Sequence, residues 1–87
     1  MEISKLQRMI EEQIEERGED SIRKAMRLSR EQNGITQHDL AMAAGVSSVT
    51  LQRWEAEHLR LSVQCLAKLW IALVRLRTAR SKHVTAA

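Results

Sequence analysis

The apolar positions of this chain recur at helical spacing from one end to the other, and no stretch alternates over the length of a strand. Ile3, Leu6, Ile10 and Ile14 are spaced by three, four and four, with Met9 alongside, on an otherwise charged segment. That pattern predicts an amphipathic helix over 2–17, ended by Gly18. Ile22, Ala25, Met26 and Ser29 share one face of a second helix over 21–33, capped by Asp20 or Ser21 and closed by Gly34. Thr36 is a good N-cap for a third, with Asp39 placed to reach back as in a capping box. Leu40 and Ala44 share its inner face, and Gly45 can take the left-handed conformation that ends it. Ser47 then caps a fourth helix after one intervening residue, Val46. Ser62 caps a fifth, on which Val63, Leu66, Leu69, Trp70, Leu73, Leu76 and Arg77 trace one face, widened by Ile71 and Val74. The prediction is an all-α protein of about five helices. An extension at 1–18 precedes a body at 19–80 and a basic, frayed tail at 81–87.

The third and fourth helices, GITQHDLAMAAGVSSVTLQRWE from Gly34 to Glu55, form the stretch around which the rest is organised. So short a connection forces them to cross steeply, and Ala41 permits close approach. This is a helix-turn-helix arrangement. Leu51 and Trp54 face inward on the second helix, leaving Ser48, Val49, Gln52 and Arg53 outward, on an element that fits the major groove of B-DNA.

The stretch resembles the Cro/repressor-type (XRE-like) helix-turn-helix family of phage and bacterial transcription regulators. Gly34, Thr36, Gln37, Leu40, Ala41, Gly45, Val46, Ser47, Trp54 and Glu55 carry the resemblance, which extends from about Ile22 to Leu73. It implies a lambda-repressor-like fold to which the first helix is an addition. It also implies that Ser48, Val49, Gln52 and Arg53 occupy the variable base-reading positions. By their chemistry, Ser47 and Ser48 can bond phosphate or base edges, Val49 can touch a thymine methyl, Gln52 can pair with adenine and Arg53 can fork onto guanine. The plainer alternative is that Ser47 merely caps while Gln52 and Arg53 are solvated. In the family, the glutamine matched by Gln37 contacts the DNA backbone and braces the recognition helix. Thr36 either presents N–H groups to a phosphate or is a plain cap. Arg60 lies in the following loop, where family members often meet a phosphate. The resemblance further implies a structural ion pair between Arg30 and Glu55. Two departures stand out: Ser29 replaces a common leucine, and Ala56-Glu57-His58 follows Glu55 where a glycine turn is usual.

Charge sharpens this picture. Residues 1–20 hold seven acids and three bases, and residues 21–87 hold four acids and eleven bases, giving the overall +3. A basic body with an acidic arm suits a polyanion partner such as double-stranded DNA, although Arg27, Arg75, Arg77, Arg80 and Lys82 read more readily as solvated charge than as clamps on flanking phosphates in a dimer. The stripe Ile3, Leu6, Ile10 and Ile14 either packs on the chain's own body or pairs with another copy or another protein. With Trp70 and Leu73, on an apolar arc broader than one small body needs, it forms the candidate dimer or partner face.

Other chemistry finds no support. The single cysteine, Cys65, excludes an internal disulfide and a zinc cluster, and a start-of-helix thiol of lowered pKa is the less favoured reading beside a plain buried one. His38, His58 and His83 lack ligand spacing, so no metal and no cofactor are expected. No catalytic constellation, phosphate-cradling loop, signal peptide or membrane-length apolar run is present, which predicts a cytoplasmic non-enzyme. The expectation is therefore a sequence-specific DNA-binding regulator, a repressor acting as a homodimer on an inverted-repeat operator. The alternatives are an antitoxin that neutralises a toxin and autoregulates its operon, or a protein-interaction module with little DNA affinity.

Overall fold

The computed structural model describes residues 3–86, with side chains through residue 80. Five helices follow in order: α1 (Ile3–Arg17), α2 (Glu19–Gln32), α3 (Gln37–Ala44), α4 (Ser48–Glu55) and α5 (Val63–Ala86). Among the described residues there is no strand. The expected tail from Ser81 continues α5 as helical backbone to Ala86. The side chains of Lys82 and His83 lie outside the described residues.

One core serves all five helices. Met26, Ile35, Leu40, Leu51, Trp54, Leu66, Leu69 and Leu73 are its largest fully buried side chains. Leu6 and Ile10 of α1 join them. The apolar stripe of α1 is thus turned onto the chain's own body, against α2 and α5. This corrects the partner-face expectation for Leu6, Ile10 and Leu73, whose surface is already covered within one chain. Ile14 and Trp70 are half-buried beside them, and only Ile3 of that set is exposed. The broad arc of α5 has the same explanation: α3 covers one flank and α1 the other. Burying a side chain such as Leu6 contributes roughly 1.5–3 kcal/mol.

Two helix starts differ from their sequence expectation. α2 begins at Glu19 directly after Gly18, which takes φ 83, a backbone that closes α1 and opens α2 within a single residue. Neither Asp20 nor Ser21 caps it; Asp20 instead accepts a hydrogen bond from the Arg23 guanidinium. At α4, Ser47 holds the N-cap position and its carbonyl accepts from the Leu51 N–H, but its hydroxyl makes no cap hydrogen bond. Ser62 does cap α5, its Oγ accepting from the Cys65 N–H at 3.1 Å.

The turn between α3 and α4 is set by Gly45 at φ 70, and the Val46 N–H donates to the Ala41 carbonyl at 2.9 Å. The chain repeats this ending after α4 without a glycine. Glu57 takes φ 68, and the His58 N–H reaches back to the Arg53 carbonyl at 2.9 Å.

Candidate nucleic-acid interface

α3 starts cleanly. The Thr36 hydroxyl accepts from the Asp39 N–H at 3.0 Å, satisfying one of the first free donors of the helix. The reciprocal bond expected of a capping box is not made, because the Asp39 carboxylate faces Arg80 of α5 at 3.6 Å. Arg80 also lies against Gly34, so the far end of α5 reaches the α2–α3 loop.

α4 divides sharply into an inner and an outer face. Leu51, Trp54 and Glu55 are buried. Burying Glu55 is tolerable because its carboxylate is fully engaged. Arg30 forks onto it, Nε donating to Oε2 at 3.0 Å and Nη2 to Oε1 at 2.8 Å, while Nη1 donates to the Ile35 carbonyl at 3.0 Å. Gln37 Nε2 adds a third bond to Glu55 Oε1 at 2.9 Å. One carboxylate therefore joins α2, the start of α3 and the end of α4, with planar bidentate geometry that fixes rotation as well as distance.

A second polar cluster supports the same helix. Trp54 Nε1 donates to Glu19 Oε1 at 3.1 Å, so the buried indole has its partner. Arg23, 7% exposed, stands with its guanidinium 6.0 Å from the Trp54 ring centre. It donates to Glu57 Oε1 at 3.1 Å as well as to Asp20, and its Nε is buried without a partner. The left-handed Glu57 is thus held by its side chain to α2, which offsets part of the cost of that backbone. Glu19, Arg23 and Glu57 are site residues that sequence reasoning missed. Arg23 could have been suspected, since it sits seven residues before Arg30 on the same helix face. Its partner across the fold could not.

The outer face of α4 is open. Val49 is 52% exposed, Gln52 and Arg53 are exposed, and Ser48 is half-buried. Ser47, freed from capping, is exposed at the same end, and Thr36 is exposed at the start of α3. Gln37 is half-buried and committed to Glu55. Arg60, its side chain 94% exposed, stands in the loop after α4, 3.9 Å from Glu19 Oε2. The fold thus gathers Ser47, Ser48, Val49, Gln52 and Arg53 on one short helix, with Thr36 and Gln37 on the helix before it.

Other sequence candidates fall away from this face. Cys65 is half-buried, and burial pushes its thiol pKa up, with Lys68 only partly opposing; this is the reverse of an activated thiol. Among the described residues no group of acids, histidines and cysteine could hold a metal ion. No described helix is long and apolar enough to cross a membrane.

Two short helices joined by the tight turn at Gly45, the second with a buried inner face and an open outer one, form a helix-turn-helix. A family model described as helix-turn-helix matches residues 26–69, half of the chain. The protein belongs to this Cro/repressor-type family of DNA-binding transcription regulators. No curated protein and no solved structure matches the chain.

Proposed function

We propose that this protein is a transcription repressor that reads an inverted-repeat operator as a homodimer, with α4 of each copy in the major groove. The observation that carries this reading is the division of α4. Its inner side is fixed to two other helices, α2 and α3, by Glu55 and Trp54, while Ser48, Val49, Gln52 and Arg53 stand outward. A helix held against rotation presents its outer side chains at constant positions, as discrimination between base edges requires. Arg53 forks onto guanine, Gln52 pairs with adenine and Val49 meets a thymine methyl. Ser47, Ser48, Thr36, Gln37 and Arg60 bind backbone phosphates and set the register. Two copies place their recognition helices roughly 34 Å apart, in successive major grooves. Occupying a promoter then excludes polymerase, in the cytoplasm where that DNA lies.

The test is selection of bound duplexes from a random pool by the purified protein at near-physiological salt. An enriched inverted repeat is the expected result. An enriched single half-site would retain base reading and remove the dimeric operator. No enrichment would overturn sequence-specific reading altogether.

A further inference from the structure

α1 carries a second stripe beside the apolar one that meets the body. Lys5, Met9, Glu12 and Glu16 are spaced by four, three and four, so they share a face of the helix. All four are exposed, Met9 to 55%. Next to them an open groove of about 260 Å³ separates α1 from α2. Met9 and Gln13 line one side, Ser21 and Ala25 the other, with Ile10 and Trp70 beneath. Leu28, 56% exposed, follows Ala25 by less than one turn of α2.

The charges of α1 are sorted along its length. Lys5 and Arg8 occupy the first half and Glu11, Glu12, Glu15 and Glu16 the second, with Arg17 alone as a base in the last turn. Carboxylates are disfavoured at the C-terminal end of a helix, so this order does not serve α1 by itself. Nor does it serve the rest of the body: among the described residues, no α1 side chain is ion-paired within 4.0 Å.

A second α1 lying antiparallel to the first satisfies the order. With a two-fold axis beside Met9, Lys5 of each copy falls opposite Glu12 of the other. The interval from Lys5 to Glu12 is seven residues, or about 10.5 Å of helix, and its midpoint lies within half a residue of Met9. The two Met9 side chains then meet near the axis, each beside the other copy's groove. This is the self-complementary surface that a two-fold interface requires. We propose that the protein dimerises through this face, α1 against α1, with Met9 at the centre and two Lys5–Glu12 pairs flanking it. α1 packs chiefly on α2 and α5, whereas α4 packs on α3 and α2, so the interface leaves the outer face of α4 uncovered. The proposal names the surface of the homodimer put forward above, and base reading by α4 does not depend on it.

The test is sedimentation velocity on the full chain as wild type, as Lys5→Glu, as Glu12→Lys, and as an equimolar mixture of the two variants. The wild type is expected to sediment as a dimer. Each variant alone turns two attractions into two repulsions and should associate about ten- to a hundredfold more weakly. The mixture should regain the dimer, because a heterodimer again sets opposite charges across both pairs. Both residues are exposed, so helical content by circular dichroism should be unchanged, and recovery in the mixture would itself exclude misfolding. A monomeric wild type overturns the proposal and leaves the groove to a different protein. Variants that dimerise like wild type overturn it as well, by placing the interface elsewhere. Both results are separable from the duplex selection, which a monomer with a half-site preference would still pass.

Discussion

α1 and α4 are both amphipathic helices on the same small body, yet they are held by different means. α1 is attached by apolar area, through Leu6 and Ile10, with Gly18 as its link to α2. α4 is attached by apolar area too, through Leu51 and Trp54, but in addition by directed bonds. Glu55 accepts from Arg30 and Gln37, and Trp54 donates to Glu19. Apolar burial is non-directional and tolerates small slides and rotations. A bidentate guanidinium–carboxylate pair tolerates neither. Of the two helices, the one proposed to read bases with its outer side chains is the one fixed in rotation. The polar network below α4 is therefore read better as a device for orientation than as a source of stability, since a buried ion pair is often matched by apolar residues of similar volume.

This contrast can be broken at several points. The largest effect is expected at Trp54, where the inner face of α4 meets the core. Trp54→Ala should cost roughly 3–5 kcal/mol in a urea melt and leave Glu19 and Arg23 without their packing partner. A normal melt would show that α4 does not depend on its buried face. Arg30→Ala should follow closely, at about 3–5 kcal/mol, because it strands the Glu55 carboxylate. Replacing both partners, Arg30→Met with Glu55→Leu, sharpens the point. Stability should largely return while DNA affinity does not, and simultaneous recovery of both would refute the orientation role.

Leu6→Ala should destabilise by about 2–5 kcal/mol through the cavity it leaves. Titrating duplex against its folded fraction should nevertheless give wild-type affinity per monomer, since α1 sits apart from α4; a change in base preference would contradict that separation. Arg53→Ala should leave the melt unchanged. It should lower discrimination at one base position per half-site by about 1–3 kcal/mol, read by competition among duplexes that differ at single positions. The smallest effect is expected at Glu57. Glu57→Ala keeps the left-handed backbone without the Arg23 bond, whereas Glu57→Gly removes the backbone cost, so the glycine variant should be the more stable of the two by about 1 kcal/mol.

The departure at 56–58 shows where sequence reading stops. A helix-turn-helix pattern lacking its usual glycine leaves the loop after α4 undetermined from residues alone. The structure builds the same helix ending with Glu57, because Arg23, 34 residues earlier, accepts the geometry and bonds the carboxylate. The cap of α2 failed for a related reason. Asp20 is a good N-cap in isolation, but a buried arginine one turn later competes for its carboxylate. Asp39, similarly, is drawn off its capping box toward Arg80 at the far end of α5. At Asp39 a local preference worth about 1 kcal/mol yields to a charge brought near by the fold, and at Asp20 to one on the same helix.

What the amino-acid order determined by itself was periodic and local. The spacing of apolar residues specified five helices and most of their inner faces, although Ala25, placed inward on α2, and Val74 and Arg77, placed on the packed face of α5, are exposed. Thr36, Gly45 and Ser62 marked helix ends, because caps and left-handed turns act within a few residues. The motif from Gly34 to Glu55 marked which helix faces outward. What only the tertiary structure decided was every pairing between segments distant in sequence. The apolar stripe of α1 closed on α2 and α5 instead of remaining open, because the uncovered flank of α5 lay within its reach. Glu55 took three donors from two other helices, Trp54 took its partner from the first turn of α2, and a different stripe of α1 was left exposed. Periodicity shows which face of a helix is apolar, but not which surface will cover it. That choice is made by proximity in the folded chain, where burial is roughly proportional to the area two surfaces can share.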